Sequence, residues 1–271
     1  MQIVKYKWMT QGMGGEPFFF TKDNGKTGRI KLFDESLHIK IGGKHCTGYV
    51  KNGRQVDCPK SRLVIDDRMC RECALNDDFF LCIKCTGEEC MNDGQRPSCM
   101  ENNYYIYLAA FSNMLKVGIS HEHRVLERLI EQGADMGAKI GLVKDGKLVR
   151  TIEQKIRAEL GICDRVTGAE KQKMIFCSPN VASANIFNAY NKLKLNGLSQ
   201  HLMSPEIYDL QGVYRLGRVD GMPKAVHTSP GHEIRGDVIA AKGNIIILRN
   251  ESGLFSVNSH RLIGCDVEIL N

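Results

Sequence analysis

Eight of the eleven cysteines fall between Cys46 and Cys99, and this crowding constrains the fold more than any other feature of the chain. The segment has few apolar residues in either helical or strand period, so it cannot bury enough apolar surface to fold unaided. A bound metal is the usual substitute for the missing core. Cys70-x-x-Cys73 and Cys82-x-x-Cys85 are two CxxC turns. Each sets two sulfurs on one side of a tight loop, and two such turns supply the four thiolates of a closed structural site. Cys46, Cys58, Cys90 and Cys99 make a second set, in which His45 can replace one cysteine. An interleaved pairing, with Cys90 and Cys99 closing one site, fits the spacing too. The expectation is one or two structural Zn2+ ions, with an iron–sulfur cluster as the competing occupant. A closed site leaves no open coordination position, so no metal catalysis is expected there. Cys163, Cys177 and Cys265 stand apart and read as buried small hydrophobes.

Thiolates rather than disulfides are expected because nothing points to export. The start, Met1 to Trp8, lacks the apolar stretch of a signal peptide. No apolar run approaches the roughly 20 residues needed to cross a bilayer. The expected compartment is the cytoplasm, with no membrane partner. A formal charge of +6 over 271 residues is mildly basic. It suits an acidic partner such as nucleic acid, and a solubility margin looks the same.

The pattern divides the chain into four segments and predicts an α+β protein. Residues 1–45 form an N-terminal β segment, with strands predicted at Arg29–Phe33 and Leu37–Ile41 and a turn at Gly42-Gly43. Residues 46–100 form the cysteine-rich zinc module. Residues 101–200 form a small α+β domain. In it Tyr104–Phe111 and Leu115–Ile119 read as a hairpin turned at Ser112-Asn113. A helix follows from Arg124 to Gln132 with Gly133 just past its end, then a strand at Lys139–Val143, and helices at Leu148–Leu160 and Val181–Leu193. Residues 205–271 carry short strands at Gly236–Ala241, Asn244–Leu248, Gly253–Val257 and Cys265–Leu270, which suggest a small β-barrel or sandwich. If it is an oligonucleotide-binding barrel, Phe255 is the main stacking candidate. Gly12-x-Gly14-Gly15 does not sit between a strand and a helix, so it is not read as a phosphate loop.

Tyr105-Ile106-Tyr107-Leu108, Lys116-Val117-Gly118-Ile119, an Arg-bearing helix and a later helical Glu resemble the GIY-YIG nuclease core. The resemblance covers about 95 residues. It implies a metal-dependent phosphodiester hydrolase whose glutamate binds one divalent ion. By position, Tyr107 matches the first motif tyrosine and Gly118 the second motif's glycine. Either Arg124 or Arg128 matches the helix arginine. Glu153 matches the metal-binding glutamate, for Mg2+ or Mn2+. Lys116 stands where the second tyrosine is usual, and the first motif's glycine is absent. Asn185 and Asn188 are on a suitable helix for the family's late asparagine. These departures bear on cleavage rather than on the fold.

Over nearly its full length the chain also resembles domain of unknown function family 2797. The matching pieces are Cys46-x-Gly48, Cys58-Pro59, both CxxC turns, Lys116–Ser120, Glu131–Ala134, Arg150-x-Ile152-Glu153, Lys242-Gly243 and Val257-Asn258-x-x-Arg261. That resemblance implies no activity. The expected function is that of a zinc-binding protein that binds RNA or DNA, with a divergent GIY-YIG-like core. Two alternatives are a GIY-YIG-type endonuclease using Tyr107, Lys116, Arg124 or Arg128, and Glu153, and a zinc-scaffolded protein-interaction module.

Overall fold

The computed structural model describes residues 1–163 and 165–270. The chain forms two compact units, one from Met1–Phe80 with Tyr214–Asn271, the other from Leu81–Val213. In chain order the strands begin with β1 (Gln2–Gln11), β2 (Gly14–Asp23), β3 (Lys26–Lys31), β4 (Ser36–Lys44), β5 (Tyr49–Lys51) and β6 (Arg54–Val56). Short helices α1 (Arg71–Asn76), α2 (Phe80–Ile83) and α3 (Arg96–Glu101) follow. Then come β7 (Asn103–Phe111), β8 (Met114–His121), α4 (Val125–Gln132), β9 (Met136–Lys144), α5 (Gly146–Leu160), α6 (Gly168–Lys173), α7 (Pro179–Leu195) and β10 (Glu206–Asp209). The chain ends with β11 (Lys224–Ala225), β12 (Glu233–Lys242), β13 (Ile245–Asn250), β14 (Gly253–Asn258), α8 (Ser259–Leu262) and β15 (Cys265–Ile269).

The first unit is built on a nine-stranded sheet in the order β11-β14-β13-β12-β4-β15-β1-β2-β3. The C-terminal strands therefore do not close a barrel of their own. β12 and β15 pair antiparallel on either side of β4, so segments that read as separate along the sequence share one sheet. Gly12 lies in the β1–β2 hairpin turn, at φ +55°. Ile3, Tyr6 and Trp8 of β1 are buried, and a bulge between Ile3 and Lys5 shifts the period. The Gly243 carbonyl, in the two-residue β12–β13 turn, accepts from Tyr6 Oη at 2.6 Å and Trp8 Nε1 at 2.8 Å. The indole also meets Phe33 and Tyr214 edge-on, with centroids 5.7 and 5.8 Å away.

The second unit has a four-stranded sheet in the order β10-β9-β7-β8. Strand period puts Ile106, Leu108 and Ala110 of β7 on one face. There they pack with Val149, Ile152 and Ile156 of α5 and Ala182 and Ile186 of α7. Tyr107 faces the other way, where α4 lies. Gly137 of β9 has no side chain because Leu129 of α4 occupies that space. Gly133, at φ +75°, donates to the Leu129 and Ile130 carbonyls and ends α4 in the left-handed cap that its position predicts. Asp145 accepts from the Lys147 N–H at 2.8 Å and caps α5, which runs to Gly161 at φ +65°. No helix among the described residues is long and apolar enough to cross a membrane.

Trp8→Phe is expected to lower unfolding stability by about 1–3 kcal/mol, since it removes one donor from Gly243 and leaves a gap in the packing. Urea denaturation followed by circular dichroism measures this. An unchanged midpoint would show that Tyr6 alone secures the turn.

Candidate functional site

Two constellations carry chemistry, one in each unit. The first is a sulfur cluster. Cys46 follows β4, Cys58 lies in the loop after β6, Cys70 is the residue before α1, and Cys73 is in its first turn. Their four sulfurs lie within 4.8 Å of one another, with Cys58 and Cys70 3.9 Å apart. A tetrahedron with metal–sulfur bonds of about 2.3 Å has edges of about 3.8 Å. Cys46, Cys70 and Cys73 are buried and Cys58 is partly so. The Cys70 N–H donates to Cys46 Sγ at 3.1 Å and the Gly48 N–H does so at 3.4 Å. Cys46-x-Gly48 needs its glycine: φ is +80°, and a Cβ there would strike the Val56 carbonyl.

Burial pushes the Cys46 and Cys73 thiols up, and the neighbouring sulfurs raise Cys73 further. At Cys58 burial also opposes ionisation. The Arg62 and Lys60 backbone N–H groups, with Cys46 and Cys73, outweigh it and bring the pKa down to about 7. One thiolate therefore forms readily, while four in this space repel one another unless a cation sits among them. The four cysteines can hold a metal ion such as zinc.

The two CxxC turns do not share a site. Cys70 and Cys73 join Cys46 and Cys58, while Cys82, Cys85, Cys90 and Cys99 belong to the second unit. The reason is long-range. The chain entering α1 hydrogen-bonds Cys46, which follows β4, and no local spacing encodes that. His45 is not part of this group, and its Nδ1 lies 3.0 Å from Asp266 Oδ2. Of the isolated cysteines, Cys265 is buried, Cys177 half-buried and Cys163 exposed, so Cys163 is not a core residue.

The second constellation gathers residues from β7, β8, α4 and α5. Tyr107 pairs with Gly118 across the hairpin, and a Cβ on Gly118 would lie 2.5 Å from the phenol oxygen. The phenol is fully buried and accepts from Gln132 Nε2 at 2.5 Å. Burial raises the Tyr107 pKa, against the pull of Arg128 and Gln132. Burial lowers the Lys116 pKa, as does the charge of Arg128, while Glu153 opposes them. Burial likewise raises the Glu153 pKa, against Arg150, Lys116 and Arg157.

Arg128, not Arg124, acts on Tyr107 and Lys116. Arg124 turns to Glu127 at 3.2 Å and Glu131 at 3.6 Å. Asn185 donates to the Ser112 carbonyl in the β7–β8 turn, and Asn188 is exposed. Sequence reasoning missed Gln132, Arg150 and Arg157. Their signal was helical spacing: Gln132 is four residues beyond Arg128, and Arg150 and Arg157 flank Glu153 at three and four.

A carboxyl with a raised folded pKa contributes stability that is fully present below the unfolded value of about 4.3 and is lost as pH rises through the folded value. Glu153→Gln is therefore expected to gain stability relative to the parent chain as pH rises from about 4 to 7. Denaturation midpoints of both proteins at several pH values measure this. A difference that does not change with pH would contradict it.

No curated protein and no solved structure matches this chain. A family model does match, over residues 35–265, and its description is a protein of unknown function, DUF2797. It spans β4, the sulfur cluster, the whole of the second unit and the strands β11 to β14, so the chain belongs to the DUF2797 family.

Proposed function

We propose that the protein is a zinc-stabilised nucleic-acid-binding protein whose second unit is a divergent GIY-YIG-like core that holds a phosphodiester backbone without cutting it. The observation that carries the proposal is the charge around Glu153. One carboxylate stands among Lys116, Arg150 and Arg157, and Lys116 in turn feels Arg128 and Arg165. Arg128 also pairs with Glu131 at 3.8 Å, but the cations still outnumber these two carboxylates and leave a local positive excess beside Lys116, whose solvation is reduced. That arrangement suits a phosphate. The order hairpin, helix, strand, helix, with Tyr107 on β7, Lys116 on β8, Arg128 on α4 and Glu153 on α5, supports the GIY-YIG-like assignment.

Binding is favoured over hydrolysis by the state of the same groups. The Tyr107 phenol oxygen already accepts from Gln132, and burial favours its protonated form, so it is poorly placed to take a proton from water. Glu153 already faces the cations Lys116, Arg150 and Arg157, which oppose a further positive ion there. The sulfur cluster supplies stability rather than chemistry, because four protein thiolates fill a zinc ion's coordination.

Labelled RNA and DNA are expected to bind with a steep dependence on salt. Lys116→Ala and Arg128→Ala are each expected to weaken binding and to lower the slope of log affinity against log salt by about 1. Fluorescence anisotropy over a salt series measures both, and no salt-sensitive binding to either nucleic acid would sink the proposal. Cleavage in Mg2+ or Mn2+ that Glu153→Ala abolishes would make the protein an endonuclease instead. Binding that ignores salt and needs only another protein would point to an interaction module.

A further inference from the structure

We propose that Cys82, Cys85, Cys90 and Cys99 form a second tetrathiolate metal site, within the Leu81–Val213 unit, and that zinc fills it. The stretch from Leu81 to Met100 has a defined backbone, with the helical turn α2, a 3-10 turn at Asp93–Gln95 and α3. Yet Gly87 is its one buried residue, and Leu81, Ile83, Met91 and Met100 are exposed. No apolar core holds these turns in place, and a metal is the remaining means of fixing so short a segment.

Hydrogen-bond donors already reach two of the sulfurs, Cys82 and Cys99. The Cys85 N–H donates to the Cys82 carbonyl at 3.4 Å, which closes the CxxC turn. The four cysteines fall within 18 residues, from Cys82 to Cys99, on turns whose backbone is defined. Asn92 Nδ2 donates to Cys82 Sγ at 3.4 Å, and Arg96 Nη1 reaches Cys99 Sγ at 3.8 Å. Such donors offset the negative charge that four thiolates leave on a divalent ion. This set is drawn less tightly than the first, whose sulfurs all lie within 4.8 Å. Metal binding therefore pulls the sulfurs together and orders the segment in one step.

The site is fastened to α5 at two points. Gly87 comes so close that a Cβ would lie 2.5 Å from the Thr151 amide nitrogen, and Thr151 Oγ1 donates to its carbonyl at 3.1 Å. A Cβ on Gly146 would lie 2.5 Å from Cys99 Sγ. Arg96 holds the carboxylate of Asp145, the α5 cap, through two bonds of 2.6 and 2.8 Å. Metal at this site thus fixes α3, and through Arg96 and Asp145 the first turn of the helix that bears Glu153. The site itself does not depend on nucleic-acid binding.

Elemental analysis of the full-length protein is expected to give two zinc ions per chain. Cys82→Ser with Cys99→Ser is expected to reduce this to one, and so is Cys46→Ser with Cys73→Ser. Cobalt substituted into the latter variant should show the thiolate charge-transfer absorption of a tetrahedral site. In the parent protein, mass spectrometry after iodoacetamide treatment should find Cys82, Cys85, Cys90 and Cys99 protected until a chelator is added. That measurement needs no variant to fold. Zinc content unchanged by Cys82→Ser with Cys99→Ser would overturn the proposal. So would immediate alkylation of all four cysteines, or iron with a visible chromophore in place of the second zinc. A single zinc lost with Cys46 and Cys73 would reject the second site and leave the first standing, and no metal at all would reject both.

Discussion

Four sulfurs held within 4.8 Å cannot all carry charge without a cation between them, and the loops of the first unit are arranged around that constraint. From Cys46 to Cys73 the chain has few buried apolar residues, and Leu63 and Ile65 are 73% and 91% exposed. What converges instead is cysteine, with Tyr49, Val64 and Met69 packed on it. Backbone N–H groups aimed at Cys46 and Cys58 prepare the negative form of the cluster. The β5–β6 hairpin and α1 are too short to be stable alone, and a metal held by the four sulfurs would fix their conformation.

The charged cluster of the second unit follows a different rule. Tyr107, Lys116 and Glu153 are each moved by burial towards the neutral form, and each is partly restored by a neighbour of suitable charge. The absent side chain at Gly118 is what lets the phenol lie across the hairpin and reach Gln132. An anion entering this place would meet Lys116, whose own solvation is already reduced, so its charge would be felt strongly there.

Much of the second unit was legible because its signals are local. The hairpin at Ser112-Asn113, the stop at Gly133 and the helix after Asp145 each depend on residues within a few positions. The first unit was less legible. β1 and β2 are interrupted by glycine, lysine and a bulge, and the partner that buries Trp8 lies at Gly243. The short C-terminal strands look like a barrel when taken alone. The signal against it was Ile245-Ile246-Ile247-Leu248, an unbroken apolar run buried on both faces, as an inner strand of a larger sheet is. Cysteine spacing identified the ligands' chemistry, but not which of them meet, because Cys46 and Cys58 reach Cys70 and Cys73 through tertiary structure.

The place of β4 between β12 and β15 has a consequence for synthesis on the ribosome. When Ser36–Lys44 emerges, the nearer of its two hydrogen-bonding neighbours in sequence, β12, is still about 190 residues downstream. At typical elongation rates that delay is on the order of tens of seconds. The Leu81–Val213 unit is synthesised within that interval, ending about 20 residues before β12 begins. Throughout the wait the nascent N-terminal strands present bare edges, the state in which a holding chaperone has most to do.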